Sequence, residues 1–326
     1  MVILGGLSWW AVVRHVENEW ASWRDELEEF EATLPELEPT LPPIEGEPEP
    51  GGVLDDWFAA AQLLDERLEG QLGDATMAPS ETGSEEQVLT LDAALALQRT
   101  SLRLQAHPTL IAHLMGITKE QRLWTEALSM GLLSRYDEAE RQTLIEHLRG
   151  ASTDGPRLPD AVKRELLFVG RAYADGSSTQ AHAFDGFWDR VSEGRNPAAS
   201  ARLEFADEFR RARRVLEELE PVFAKGLAAF AEVEERLQRE ADDGGATESA
   251  RLSAHWLATY QAGLELYLTR QLLAAALEID AGLEPAIPDE HLRANLGKRV
   301  TDEIIELWMK GRPDSTVVLT RKPNGK

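Results

Sequence analysis

The sequence predicts an all-α protein, mostly a bundle of long and short helices, with one small β-hairpin near the C-terminus. Three observations carry this prediction. Apolar residues recur every three or four positions through most of the chain, which is the spacing of one helical face. Alternation of apolar and polar residues, which is typical of strands, is seen in the tail. At 43% apolar residues, the chain can bury a sizeable core.

The first 13 residues, MVILGGLSWWAVV, carry no charge. As a helix they would span roughly 20 Å, less than the ~30 Å hydrocarbon core of a bilayer. From Glu17 to Asp56 there are 14 acidic residues and one basic residue, Arg24, which favours a flank outside the cytoplasm. We therefore expect the outer end of a signal anchor whose other apolar residues precede Met1. The alternative is an amphipathic first helix packed on its own domain. The residues expected at the membrane interface are Leu4, Leu7, Trp9, Trp10 and Val13.

A heptad pattern follows in the same helix. Its apolar residues are spaced alternately four and three positions apart from Trp9 to Leu34, as in a coiled coil. Trp at facing positions is too bulky for a regular two-stranded seam, so we expect this helix to dock into a groove or to lie near a membrane. The predicted docking seam consists of Val16, Trp20, Trp23, Leu27 and Phe30.

Two connectors divide the chain. Residues 35–52, PELEPTLPPIEGEPEPGG, contain six prolines and five glutamates, which predicts an extended spacer, with peptide recognition as the alternative. A helix is predicted over 53–72, and residues 73–86 form a second low-complexity connector. The predicted organisation is therefore an N-terminal helix (1–34), a linker (35–52), a helical domain (53–300) and a tail (301–326).

From residue 87 onward the pattern predicts helix after helix. The predicted segments are Val88–Ala106, Pro108 to about Met130, Asp137–Arg149, Pro159–Ala174, 199–240 and Ser249–Asp280. A short helix is predicted around FDGFWDRV, within 177–198. Pro221 should kink or split the stretch 199–240, because proline removes a backbone hydrogen bond. Ser249–Asp280 is apolar over a wide arc, which predicts a central helix.

The tail changes character after LEPAIPDEH. In IIELWMKGRPDSTVVLTRK the apolar residues alternate, and Arg-Pro-Asp-Ser has the composition of a turn. We predict a hairpin that pairs 304–309 with 315–320. A helix over 301–310 is the alternative.

One stretch resembles a known group of proteins. It begins LTLDAALALQRTSLRLQAHPTLIAHLMGITKEQRLWTEALSMGLL, continues to LPDAVKRELLFVGRAY, and has a counterpart in WLATYQAGLELYLTRQLLAAALEIDAGLEP. These residues, about 89–174 and 249–285, resemble a diffuse group of uncharacterised bacterial membrane-anchored, extracytoplasmic α-helical proteins. The resemblance implies a location, membrane-anchored and facing outward, and implies no activity.

Composition excludes several classes of function. Lys and Arg number 34 against 58 Asp and Glu, a formal net charge of −24. Nucleic-acid binding needs a basic face, so this balance argues strongly against it, and also against docking on anionic lipid by charge. The chain has no cysteine, which excludes disulfides, thiolate catalysis and cysteine-ligated metal sites.

No catalytic or cofactor-binding motif is present, so we predict no catalytic, cofactor-binding or metal residues. The best metal-like set is His182, Asp185 and Asp189, but Phe and Trp surround it, and a loop pinned by these aromatic residues explains the stretch without any ion. The basic cluster RRARR, residues 210–214, is expected to balance acidic neighbours through pairs such as Asp207–Arg211 and Arg213–Glu217.

Three functions remain open on the sequence alone. The first is a non-enzymatic interaction or scaffold protein, tethered to a bacterial membrane through its N-terminus, facing the periplasm or exterior and binding protein partners in the cell envelope. The second is a helical-bundle module that binds an apolar small molecule or lipid between helices. The third is an unrecognised enzyme. A cytoplasmic location is the alternative to membrane tethering.

Overall fold

The structure is a computed structural model. It describes residues 2–34, 90–105, 110–129, 131–151, 158–175, 199–223, 225–243 and 247–321. The predictions for the linkers, for the helix at 53–72 and for the short helix within 177–198 lie outside these residues.

The described chain is mostly helical and ends in a three-stranded antiparallel sheet, which confirms the predicted fold class. The helices are α1 (Val2–Ala32), α2 (Leu91–Gln105), α3 (Leu110–Ser129), α4 (Glu138–Gly150), α5 (Leu158–Asp175), α6 (Ala199–Phe223), α7 (Phe230–Asp243), α8 (Glu248–Asp280) and α9 (Glu290–Asn295). The strands are β1 (Leu296–Val300), β2 (Ile304–Met309) and β3 (Arg312–Thr320). Single 3₁₀ turns lie at Leu132–Arg135 and Gly226–Ala229.

Local chemistry explains where several helices begin and end. Asp137 caps α4: its side chain accepts a hydrogen bond from the backbone N–H of Glu140, whose carboxylate accepts one from the N–H of Asp137. This reciprocal capping box satisfies two helix N–H groups that otherwise lack partners. Asp289 caps α9 through the N–H of Leu292.

The long stretch predicted over 199–240 is split, as the proline indicated. Pro221 lies in the last turn of α6, which ends at Phe223. Gly226 then adopts a φ of 63°, a left-handed conformation that glycine takes without steric cost, and α7 begins at Phe230. The heptad pattern on the two sides of this break is buried, at Phe209 and Leu219 before it and at Val233 after it.

The predicted hairpin is confirmed as the antiparallel pair β2–β3, and the alternative of a helix over 301–310 is wrong. A third strand, β1, pairs with β2 in the order β1-β2-β3. Residues 296–300, assigned from the sequence to the helical domain, are therefore a strand. In the segment LGKRV only the first and last residues are strongly apolar, so the alternation that indicates a strand is weak.

The pairing of β2 with β3 is irregular at one point. Met309 lies opposite Arg312, whereas the preceding residue, Trp308, lies opposite Thr316. Residues 313–315 thus fall between the two pairs, as in an enlarged β-bulge. The sheet buries one face, which includes Ile305, Leu307, Val317 and Leu319.

The chain divides into two compact units made of interleaved segments. The first unit contains α1, α5, α6, α7 from Ala231 and the start of α8 to Ala258. The second contains α2, α3, α4, both 3₁₀ turns, α8 from Thr259, α9 and the sheet.

Each unit has its own apolar interior. In the second unit, the segment of α8 from Leu272 to Leu277 is completely buried, which confirms the prediction of a central helix.

Helices α2 and α3 approach each other closely at Gly116. A Cβ at that position would lie 2.6 Å from the carbonyl oxygen of Ser101. The Ser101 hydroxyl in turn donates to the carbonyl of Gly116 at 2.7 Å.

Candidate functional site

A groove of about 600 Å³ runs along the outer edge of β3 in the second unit. This volume lies within the range of about 300–1,000 Å³ typical of ligand sites. Both faces of the strand contribute to the lining, as expected of a groove that follows its edge. The lining residues are Gln121, Thr125, Leu128 and Ser129 of α3, Glu265 and Thr269 of α8, and Ser315, Thr316, Val317, Val318 and Thr320 of β3.

The direction of the β3 backbone groups follows from one hydrogen bond just beyond the strand. The N–H of Arg321 donates to the carbonyl of Glu303 at 2.8 Å, so this pair is hydrogen-bonded. Hydrogen-bonded and non-hydrogen-bonded pairs alternate in an antiparallel ladder. Residues 319 and 317 therefore direct their N–H and C=O groups to β2, whereas residues 316, 318 and 320 direct theirs away from β2.

The other side of β2 supports this assignment. The N–H of Thr301 donates to the carbonyl of Ile304, and the N–H of Lys310 to that of Asn295, each at 2.9 Å. By the same alternation, β2 uses its even-numbered residues for β1, which leaves the odd-numbered ones for β3. All three outward-directed residues of β3 line the groove. In the sheet formed by the described residues β3 is an edge strand, so the groove is the place where a fourth strand could be added.

The helical walls of the groove are fixed to each other directly. Gln121 of α3 donates from its side-chain amide to the carbonyl of Ala262 on α8 at 3.1 Å. The preceding residue of α3, Glu120, forms an ion pair with Arg270 of α8, the residue that follows the groove residue Thr269. The two walls are therefore joined by polar contacts immediately behind the groove.

Glu120 is completely buried and has a full set of hydrogen-bond donors. Arg270 donates to both carboxylate oxygens, at 2.7 and 2.5 Å, Gln98 and Trp124 donate to Oε1, and Gln105 donates to Oε2. Burial by itself would raise the pKa of this carboxyl. The charge of Arg270 and these hydrogen bonds outweigh burial, and the pKa of Glu120 lies below its ordinary value.

The C-terminal end of β3 is anchored to the end of α8. Arg321 donates to the carboxylate of Asp280 at 3.0 Å and to the carbonyl of Thr301 at 3.0 Å. The same carboxylate accepts a hydrogen bond from Arg141 of α4 at 2.5 Å. Asp280 is shared between two arginines, which ties the strand to two helices.

The start of β3 is held by aromatic rings. The guanidinium of Arg312 lies 5.0 Å from the centroid of the Phe230 ring, a cation–π contact. Phe230 in turn stacks on Tyr260 of α8, with ring centroids 4.2 Å apart. With both ends of β3 fixed, its outer edge is held in place before any ligand arrives, which lowers the entropy cost of binding.

The lining is mostly polar and uncharged. Six of its eleven residues carry hydroxyl groups, and Glu265 is the one charged residue among the described residues that form it. Hydroxyls and outward-directed backbone groups can donate and accept hydrogen bonds along a line of roughly 13 Å, the length from residue 316 to residue 320 at about 3.3 Å per residue. A row of hydrogen-bonding groups of this length is suited to an extended polypeptide chain.

The residues predicted from the N-terminal sequence lie in α1. The side chains of Leu4, Leu7, Trp9, Trp10, Val13 and Val16 are outside the described part of the structure. Within the described residues, no helix combines the length and apolar character that a membrane span requires.

The rest of the docking seam lies in the first unit, where α1 packs on α6. Trp23, Leu27 and Phe30 are buried, and Trp20 is partly buried. The rings of Trp23 and Phe30 meet Phe209 edge to face, at centroid distances of 5.8 and 6.0 Å.

Leu27 fits over Gly170 of α5. A Cβ at Gly170 would lie 2.6 Å from a methyl carbon of Leu27, so the small residue makes room for the seam.

The basic cluster 210–214 binds acidic residues of the same unit. Arg210 donates to both oxygens of Glu26 on α1, at 2.9 and 2.7 Å. These hydrogen bonds, opposed by partial burial and aided by charge, lower the pKa of Glu26. The predicted pair Arg213–Glu217 is present at 2.7 Å, whereas Arg211 pairs with Glu240 and thus differs from the expected Asp207 contact.

The metal-like set His182, Asp185 and Asp189 lies outside the described residues. Among those that are described, no group of His, Asp and Glu is arranged to hold a metal ion. His113 is buried, and its Nδ1 lies 2.6 Å from the carbonyl oxygen of Gln105, a contact within the α2–α3 pair.

Sequence reasoning missed the groove, although it predicted the two helices and the strand that form its walls. In the predicted strand 315–320, the apolar residues Val317 and Leu319 alternate with Thr316 and Thr320, which is the signal of a strand with one exposed face. That α3 and α8 lie beside this strand depends on contacts more than 100 residues apart, such as Gln121 with Ala262. No local pattern carries that information.

A comparison of the chain with protein-family models, with curated proteins and with solved structures finds no match. The resemblance to membrane-anchored envelope proteins therefore stays a prediction.

Proposed function

We propose that the protein is a non-enzymatic interaction protein whose second unit binds an extended segment of a partner protein along β3. The segment adds to the sheet as a fourth strand, a common mode of peptide recognition in which backbone hydrogen bonds supply affinity. The single observation that supports this most is the pair of residues Val318 and Thr320, whose backbone groups are directed away from β2 and which line the groove. The edge strand of a sheet is a ready template for pairing with another chain.

The groove favours a polypeptide over an apolar small molecule. Of the described residues that line it, eight are polar and three, Leu128, Val317 and Val318, are apolar. A ligand with its own N–H and C=O groups satisfies the strand edge, whereas a hydrocarbon would leave those groups without hydrogen bonds.

The proposal places this interaction at the envelope of a bacterial cell, with the chain tethered to the membrane by its N-terminus and the units facing the periplasm or exterior. The uncharged residues 1–13, the acidic flank and the proline-rich spacer 35–52 support this location. Envelope proteins are then the expected partners.

Fractionation of native cells tests the location. The gene is expressed with its upstream sequence, membranes are washed at alkaline pH, and spheroplasts are treated with protease. Retention in the washed membranes together with digestion from outside supports the tether. Recovery in the supernatant with protection from protease overturns it, and leaves α1 as the first helix of a cytoplasmic protein.

Strand addition is tested with a proline in β3. The full chain is used to select binders from a phage-displayed library of random twelve-residue peptides, and a selected peptide is labelled for fluorescence anisotropy. Val318→Pro removes an N–H that points away from β2, so the ladder within the protein is kept. We expect at least about a tenfold loss of affinity, since several backbone hydrogen bonds are disturbed.

Val318→Thr is the matched control, because it keeps the N–H, the β-branch and the exposure of the side chain. Its affinity should stay close to that of the parent chain, and both variants should keep the circular dichroism spectrum. Equal binding of the peptide to the proline and threonine variants would exclude the β3 edge as the binding site.

A further inference from the structure

Resting on the proposed function, we propose that the partner segment is cationic. A Lys or Arg side chain of the segment pairs with Glu265, and β-branched or hydroxyl residues occupy the alternate positions. The geometry at the groove and the charge of the chain point to this class of ligand.

Glu265 is the charged residue of the groove. It is exposed on α8, and the described part of the chain offers it no basic partner. An exposed carboxylate beside a strand edge favours a cationic side chain on the strand that is added, and it disfavours an acidic one.

Two further charges on α3 do not change this preference. Arg122 and Glu126 form an ion pair with each other at 2.8 Å, one helical turn apart. Their charges offset each other, and neither residue lines the groove.

The charge of the whole chain acts in the same direction. At a formal net charge of −24, the field around the protein attracts cationic segments and repels acidic ones. A partner segment with basic residues therefore associates faster and is retained better at low ionic strength.

Strand geometry sets the spacing of the basic residues. Successive side chains of an added strand point to opposite faces of the sheet, so only every second position can approach Glu265. The other positions lie on the face that carries Thr316, Val318 and Thr320, where β-branched and hydroxyl cross-strand neighbours are favourable.

Three labelled peptides test this inference against the full chain. They share the pattern Thr-Val-Xaa-Val-Xaa-Val-Xaa-Thr, with Lys, Gln or Glu at Xaa. We expect the Lys peptide to bind about fivefold more tightly than the Gln peptide, the scale of a partly exposed ion pair, and the Glu peptide to bind most weakly. Glu265→Gln should abolish the difference between the Lys and Gln peptides, whereas the control Glu126→Gln should preserve it.

The outcomes separate this inference from the proposed function. If all three peptides bind the parent chain equally and Val318→Pro weakens all of them, strand addition stands and the cationic preference is overturned. If the Lys peptide binds the parent and Val318→Pro equally, it binds elsewhere by charge, and both proposals are overturned for this groove. Hydrogen exchange provides a readout that does not need the proline: the Lys peptide should slow exchange at the amides of Val318 and Thr320.

A second copy of the chain is the competing occupant. Sedimentation without peptide tests it, because pairing of β3 with β3 of another molecule would give a dimer that Val318→Pro dissociates. That result would overturn the cationic segment as the occupant. A monomer that binds none of the three peptides would overturn it as well.

Discussion

Glu120 shows how a buried charge can hold three helices in register. Removing a carboxylate and a guanidinium from water is costly, and their attraction offsets this only when the remaining hydrogen-bonding capacity is also satisfied. Here the carboxylate accepts from Arg270, Gln98, Gln105 and Trp124. This set of hydrogen bonds can form in one arrangement of α2, α3 and α8. It therefore contributes to the uniqueness of the groove walls more than to the net free energy of unfolding.

Glu120→Gln should destabilise the second unit by about 3–5 kcal/mol, because it leaves the buried charge of Arg270 without its counter-ion. Urea denaturation at neutral pH measures this change. Glu126→Gln is the matched control, since that residue is a partly exposed partner of Arg122 and should change stability by no more than about 0.5 kcal/mol. Equal effects of the two substitutions would contradict the role assigned to the buried pair.

Acid should remove the stabilisation that Glu120 provides. Its pKa in the folded chain lies below the ordinary value of 4.5, so the unfolded chain takes up a proton first as the pH falls. The contribution is complete above the unfolded-state pKa and is lost as the pH drops through the folded-state pKa. We expect the difference in unfolding free energy between the parent chain and Glu120→Gln to shrink below about pH 4.5.

Urea denaturation of both proteins at a series of pH values measures that difference. Other carboxylates with lowered pKa, such as Glu26, titrate in both proteins and cancel in the comparison. A difference that stays constant down to about pH 3 would show that the carboxylate of Glu120 contributes nothing through its charge.

The α2–α3 pair depends on a glycine where the helices cross. A Cβ at Gly116 would meet backbone atoms of α2, the Ser101 oxygen at 2.6 Å and the Gln105 nitrogen at 2.8 Å. Backbone cannot move aside as the end of a side chain can. We expect Gly116→Ala to destabilise the chain by about 1–3 kcal/mol, although alanine is intrinsically the better helix former.

Gly150→Ala is the control for that substitution. Gly150 also lies in a helix, at the end of α4, and a Cβ there would meet no atom within 4 Å. Its replacement should be neutral or should stabilise by up to about 1 kcal/mol. Thermal unfolding of the two variants measures these effects. A gain of stability in both variants would contradict the close crossing of the helices at Gly116.

The secondary-structure elements could largely be predicted from the sequence, because their signals are local. Helix α8 was expected at Ser249–Asp280 and is found at Glu248–Asp280, and the strand pair of the hairpin was placed correctly. Strand β1 was missed, since Lys298 and Arg299 interrupt the alternation that marks a strand. Pairing with β2 supplies the stability that the segment lacks by itself.

The groove could not be predicted, for a different reason. Glu120 and Arg270 are 150 positions apart, and nothing in either neighbourhood marks them as partners. Both would be expected at the surface from their residue types, because charged side chains are buried only when they are paired. The pairing is a property of the folded chain, and with it comes the adjacency of α3, α8 and β3.

The whole molecule has two cores, each made from segments that are distant in sequence. Phe209→Ala should remove the ring that Trp23 and Phe30 contact and cost about 3–5 kcal/mol in the first unit. Native-state hydrogen exchange should then show faster exchange in α1 and α6, with little change in α2 and α3. Glu120→Gln should give the reverse pattern.

A uniform rise in exchange through both units, after either substitution, would show that the chain unfolds as one cooperative block. An unchanged rate of hydrogen exchange in α1 after Phe209→Ala would show that the aromatic contacts do not stabilise this helix. The two variants thus serve as controls for each other.

Because the pairing before Thr316 is irregular, the hairpin contains more residues there than a regular ladder requires. Between Met309 and Thr316 the chain makes a turn at Gly311, with a φ of 87°, and passes through three residues that extend beyond the regular ladder. In a homologue with one residue more or fewer between Met309 and Thr316, this irregular segment could change in length while residues 316–320 keep the same orientation. Length variation among relatives should therefore collect at 310–315, while the spacing from Thr316 to Arg321 stays constant.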